Sequence, residues 1–144
     1  DTKARFERFK EVVANDICNR AKDVQAEIEF VLAREDVANV LTNCNLPIRV
    51  THNDTKLNNV MIDDKTHKGI CVIDLDTVMP GLAVNDFGDS IRFGASTGAE
   101  DEIDLDKIEC DMALFEIYAK GFIKGCDGKL TKEEIKALPF GAKV

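Results

Sequence analysis

The chain has 144 residues, of which 44% are hydrophobic and 32% charged, the composition of a globular protein rather than of a disordered or fibrous one. Its 27 acids outnumber 19 bases for a formal charge of −8, which disfavours nucleic acid and anionic membrane as partners, since their binders gather Lys and Arg on one face. No apolar run reaches the roughly 18 residues that cross a bilayer, and no signal-like segment opens the sequence.

Five cysteines, Cys18, Cys44, Cys71, Cys110 and Cys126, stand at irregular spacing without a C-x-x-C pair. They read as small core residues of a reduced, cytoplasmic protein. A chain of this length is expected to form one core, so residues 1–144 are read as a single domain. It begins on Asp1 and ends on PFGAKV, and is read as part of something longer.

Apolar side chains recur at Phe6, Phe9, Val13, Ile17, Ala21, Val24, Ile28 and Leu32, a spacing of threes and fours that predicts one long amphipathic helix. Residues 35–42 predict a short second helix. It ends at 43–47, where Asn favours turns and the residue before Pro47 leaves the helical region. The periodicity then changes. Residues 48–51, 60–62 and 69–73 are short and β-branched, and the last two, joined by the polar turn 63–66, predict a β-hairpin. Pro80-Gly81 predicts a turn, and a helix is predicted over 86–93 with Asn85 or Asp86 near its N-cap. Residues 97–106 read as a loop. Ile108, Met112, Phe115, Ala119 and Phe122 restore helical spacing, Gly125 and Gly128 close that helix, and Thr131 with Glu134 has the form of a capping box opening a last short one. The predicted class is α+β, mostly helical, with a small hairpin insert.

Site chemistry concentrates in residues 48–95. Asp54 follows the apolar segment before it, where a loop exposes its carboxylate. Asn59 precedes the first hairpin strand, and Asp74 ends the second, so the hairpin brings Asp74 back towards Asn59; Asp76 lies two residues beyond. One carboxylate as a base, with an amide oxygen and a further carboxylate as hard ligands, is what Mg²⁺-assisted phosphoryl transfer requires. The five-residue step from Asp54 to Asn59, then a hairpin, then an acid, is the kinase order of base, metal-binding amide and metal-binding acid.

His52-Asn53-Asp54-Thr55-Lys56-Leu57-Asn58-Asn59 followed by Val72-Ile73-Asp74-Leu75-Asp76 resembles the catalytic core of the aminoglycoside phosphotransferase and choline kinase family, small-molecule kinases of protein-kinase-like fold. The strings IDLDTVMPG and NDFGDSIRFGA are similar to its bacterial N-acetylhexosamine 1-kinase branch, and the likeness is densest over residues 48–103. The resemblance implies the C-terminal lobe of such an enzyme, its hairpin carrying the catalytic and metal-binding loops. Asp54 would take the proton of the acceptor hydroxyl, and Asn59 and Asp74 would hold the Mg²⁺ that bridges the phosphates of ATP. Asp76 would either join the metal or cap the loop. His52 would brace the catalytic loop, and Lys56 would either approach the transferring phosphate or remain a surface lysine. The partners implied are a nucleotide and a small-molecule acceptor, a sugar such as an N-acetylhexosamine, with aminoglycosides and amino alcohols such as choline as alternatives. An inactive pseudokinase or helical binding scaffold is the alternative outside enzymes. Neither nucleic acid nor membrane is implied, and the oligomeric state is left open.

Two other motifs are weaker than they look. Asp86-Phe87-Gly88 spells the protein-kinase metal motif, but Asp74 already occupies the strand-end position. The resemblance assigns Asp86 to a helix start that hydrogen-bonds the catalytic-loop backbone. Asp127 to Glu134 imitates half of an EF-hand, yet Ile123 and Gly125 fall where calcium needs side-chain oxygens. His52 and His67 have no cysteines at zinc-ligand spacing, and His67 reads as a turn residue. No glycine-rich phosphate loop and no strand lysine occur. An upstream N-lobe and further C-terminal helices are therefore expected, and the chain alone is expected to transfer phosphate poorly.

Overall fold

The computed structural model describes residues 2–99 and 101–144. The chain divides into two compact units, one running up to Asn45 and one over Leu46–Lys143.

The first unit contains helices α1 (Thr2–Asn15), α2 (Gln25–Leu32) and α3 (Glu35–Val40), and it buries Phe6, Ile28, Ala38 and Leu41. The single long helix predicted over residues 6–32 is therefore two. Asp16 and Asn19 take left-handed backbone, at φ 34° and 50°, and the Asp16 carboxylate accepts from the backbone N–H groups of Arg20 (2.8 Å) and Ala21 (3.1 Å). A short acid that satisfies the backbone locally competes with the helical ladder, and here it wins. Ile17, assigned by spacing to the apolar stripe, is left 92% exposed.

The second unit is built around helix α4 (Ala83–Gly94). Val84, Phe87 and Ile91 of α4 pack with Ala137 and Leu138 of α6 (Lys132–Lys143) to form its core, all of them buried. Helix α5 (Met112–Gly125) adds the rings of Phe115, Tyr118 and Phe122 around Phe87, the first and last nearly edge-on at 5.9 and 5.2 Å between centroids. The rest of its predicted apolar face is less used, for Met112 is exposed. Asp111 caps α5 by accepting from Ala113 and Leu114. The capping box of α6 forms in both directions. The Glu134 carboxylate accepts from Thr131 N–H at 2.7 Å, and the Thr131 hydroxyl accepts from Glu134 N–H at 3.1 Å.

Two small antiparallel sheets flank the loop of residues 52–59. Strands β2 (Val60–Ile62) and β3 (Gly69–Val72) make the predicted hairpin, with Val60 opposite Val72. Its turn closes on Asp63, whose carboxylate accepts from Lys65 N–H, Thr66 N–H and the Thr66 hydroxyl, and His67 sits there at φ 53° as a turn residue. The second sheet was not legible. Residues 79–81, predicted as a turn around Pro80-Gly81, form strand β4 (Met79–Gly81) paired with β1 (Arg49–Thr51). A sheet of only two strands gives proline an edge position, where its missing N–H is tolerated. Gly81 lies against Thr51 so closely that any Cβ there would collide with the threonine hydroxyl.

The cysteines are not core residues, contrary to expectation: Cys18, Cys71 and Cys110 are exposed, Cys44 and Cys126 half-buried, and all five are free. The buried small positions go to Ala38, Ala95 and Ala137 instead. Among the described residues no helix is long and apolar enough to cross a membrane.

Candidate active site

The loop between β1 and β2 is gripped from below by one helix. Asp86, in the first turn of α4, accepts the backbone N–H of His52 on one carboxylate oxygen (2.9 Å) and that of Asn53 on the other (2.8 Å). This is the bracing role that the resemblance assigns to Asp86. One helical turn further on, Asp89 accepts the N–H of Thr55 at 2.6 Å, and the Thr55 hydroxyl donates to the Asp86 carbonyl at 2.6 Å. Between these anchors, the N–H of Asp54 donates to Nδ1 of His52 at 3.3 Å. Four successive backbone N–H groups, 52 to 55, are thus held by side chains rather than by a regular ladder.

His52 also reaches the far side of the hairpin. Its Nε2 lies 3.0 Å from the carbonyl of Ile73, and the two contacts of the ring are satisfied together when Nε2 carries the proton. The N–H of Ile73 donates to the carbonyl of Asn59 at 2.9 Å. Ile73 is therefore clamped between His52 and Asn59, which fixes the backbone just before Asp74 against the loop that carries Asp54. Thr77 closes the same seam. Its hydroxyl donates to the His52 carbonyl at 2.7 Å, and its carbonyl accepts from the side-chain amide of Asn53 at 3.0 Å.

Within this frame Asp54, Asn59 and Lys56 meet. The Asn59 amide donates to both the backbone carbonyl and the carboxylate of Asp54, each at 2.8 Å, and the Lys56 ammonium stands 3.2 Å from the same carboxylate oxygen. Burial pushes the Asp54 carboxyl up, but the Asn59 hydrogen bond and the Lys56 charge outweigh it and hold the group below its ordinary range. Asp54 is accordingly ionised at neutral pH, the form a proton acceptor needs. With both amide hydrogens of Asn59 directed at Asp54, Oδ1 is the atom left for another partner.

Asp74 has left-handed backbone, φ 63° and ψ 57°, and begins a 3₁₀ turn, Leu75–Thr77, that contains Asp76. Among the described residues neither of these carboxylates has a hydrogen bond or ion pair with the protein. Among the described residues no three acidic, His or Cys side chains converge as a metal-holding group. These carboxylates and the Asn59 amide oxygen are hard oxygen donors, the ligand type that Mg²⁺ takes alongside phosphate oxygens. A cavity of about 420 Å³ beside the loop is lined by residues that include His52, Lys56, Asn59, Val60, Val72 and Tyr118.

Asp89, Thr55 and Thr77 were missed by sequence reasoning. Asp89 had a signal: it follows Asp86 by three residues, which places both acids on one face of α4. Thr77 had none, because its role depends on the β1–β4 pairing.

A loop acid whose backbone is held by a helix, followed beyond a hairpin by further acids, has the chain order of the base and metal-binding acid in kinases. The model of the phosphotransferase enzyme family (APH) matches residues 1–113, and the chain belongs to that family. It is a phosphotransferase with an alcohol-group acceptor, of small-molecule kinase type and α+β fold with a mostly helical composition.

Proposed function

We propose that the chain carries the catalytic lobe of an ATP- and Mg²⁺-dependent kinase that phosphorylates the hydroxyl of a sugar such as an N-acetylhexosamine. The observation that carries this reading is the clamped Ile73, held by Asn59 on one side and His52 on the other, which ties the neighbouring acid Asp74, two residues beyond β3, to the loop of Asp54. Asp54 receives the proton as the acceptor O–H bond breaks and the new O–P bond forms, while the bond from the γ-phosphorus to ADP breaks. Lys56 and Asn59 keep the carboxylate ionised and aimed. Asn59, Asp74 and Asp76 would hold Mg²⁺, which supplies neutralisation of the phosphate charge. The preference for a neutral sugar over a cationic aminoglycoside or choline rests on the branch-level likeness of IDLDTVMPG and NDFGDSIRFGA.

The test is ADP release by the intact protein with N-acetylhexosamines, aminoglycosides and choline as acceptors. The expected result is turnover with an N-acetylhexosamine that falls by about 10²–10⁴ in Asp54→Asn while nucleotide binding persists. Unchanged turnover in Asp54→Asn would remove Asp54 as the base, and preference for choline or an aminoglycoside would overturn the sugar assignment.

A further inference from the structure

Asp86 and Asp89 stand one helical turn apart on α4, yet they hold different sides of the catalytic acid. Asp86 takes the N–H groups of His52 and Asn53, which precede Asp54. Asp89 takes the N–H of Thr55, which follows it, in the shortest of these bonds at 2.6 Å. The peptide that links Asp54 to Thr55 therefore has its hydrogen on Asp89, and the orientation of that peptide sets where the Asp54 carboxylate points. The same Asp89 oxygen also accepts from the Thr55 hydroxyl at 3.3 Å, and the second lies 3.3 Å from the guanidinium of the exposed Arg92.

Resting on the reading of Asp54 as the base, we infer that Asp89 is a positioning residue for phosphoryl transfer, acting through the Thr55 amide to fix the Asp54 carboxylate against the acceptor hydroxyl. It touches neither substrate nor nucleotide. Removing it releases the Asp54–Thr55 peptide while Asp86 still anchors the preceding residues, so folding and nucleotide binding are retained and the chemical step suffers. A misplacement of about 1 Å at a reacting group costs on the order of 10²-fold in rate, which sets the scale.

Three variants of the intact protein test this: Asp89→Ala, Asp89→Asn and Asp54→Asn. For each, the fraction of molecules competent to bind nucleotide is titrated, and kcat per competent molecule and the acceptor and nucleotide KM values are measured. Asp89→Ala is expected to lower kcat per competent molecule by about 10- to 100-fold with the nucleotide KM within about twofold. Asp89→Asn keeps an acceptor oxygen for the Thr55 amide and is expected to recover most of that loss. A merely structural Asp89 would lower the competent fraction and leave kcat per competent molecule unchanged, which overturns the inference. Equal loss in Asp89→Ala and Asp89→Asn overturns it as well, because it would place the effect in the charge and not in the hydrogen bond. Should Asp89→Ala fail to fold, Asp89→Leu, of similar size but without an acceptor for the Thr55 amide, takes its place: a loss of about 10-fold or more in kcat per competent molecule that Asp89→Asn does not share supports the inference, and wild-type kcat per competent molecule in Asp89→Leu sinks it. Asp54→Asn separates the levels, since retained turnover there defeats the base assignment itself. Abolished turnover there with Asp89→Ala at wild-type kcat defeats only the role of Asp89.

Discussion

Replacing Gly88 by alanine sets two effects of opposite sign against each other. Gly88 lies inside α4, and in an open helix alanine there would gain about 1 kcal/mol from propensity alone. Here α4 crosses α6 with backbone against backbone. A Cβ on Gly88 would fall within 3.0 Å of the Gly141 carbonyl and 2.9 Å from the Ala142 nitrogen, where ordinary contact begins at 3.4 Å. Gly141 meets the Val84 carbonyl just as closely from the other side, so no flexible side chain can move aside. Relief requires the helices to part, which loosens Val84, Phe87, Ala137 and Leu138 together. Overpacking of this kind costs about 1–3 kcal/mol, and a clash against rigid backbone belongs at or above the upper end. The propensity gain offsets part of it and leaves a net loss of about 2 kcal/mol. At about 4–8 °C per kcal/mol for a unit of this size, the melting temperature followed by circular dichroism should fall by roughly 10 °C. An unchanged or raised melting temperature would mean that propensity governs, and the close crossing of α4 and α6 would have to be abandoned.

Two more outcomes follow from the same framework. Gly81→Ala drives a methyl group into the Thr51 hydroxyl, which donates to the Met79 carbonyl across β1–β4; proteolysis should then cut residues 49–55 faster, and wild-type protection there would contradict the pairing. Glu134 is buried under Arg49, whose bidentate hydrogen bonds at 2.7 and 2.9 Å hold its carboxyl below the ordinary 4.5 against the opposing effect of burial. A depressed folded-state value adds stability that is complete above the unfolded value and is lost as pH falls through the folded one. Urea midpoints of Glu134→Gln should therefore drop less than wild type on going from about pH 5 to pH 3, and parallel pH profiles would refute the linkage.

Much of the fold was readable because it rests on local chemistry. The hairpin 60–72 follows from β-branched runs on either side of an Asp63 turn, and the α6 capping box needs only Thr131 and Glu134 three residues apart. The fate of Glu134 beyond that box was not readable, since its partner Arg49 lies 85 residues away. The break at Asp16 was overlooked for a different reason: apolar spacing carries through it, and only the competition of the Asp16 side chain for backbone N–H groups ends the helix. Strand β4 was hidden because Pro-Gly favours turns locally, and pairing with β1 overrides that preference once Thr51 accommodates a glycine.

What the sequence by itself determined is the order of the candidate groups along the chain: Asp54, Asn59 five residues on, a hairpin, then Asp74 and Asp76. Spacing reads that order because a tight hairpin needs only two β-branched runs and a polar turn between them. Tertiary structure decided what holds them. In Asp86-Phe87-Gly88 it made the acid a brace for the loop backbone, the ring the buried centre of an aromatic cluster, and the glycine the contact point of two helices. It also recruited Asp89 to the Thr55 amide. Those assignments depend on α4 lying beneath the loop, and that placement comes from the packing of α4 on α6, a contact between segments some fifty residues apart that no local pattern encodes.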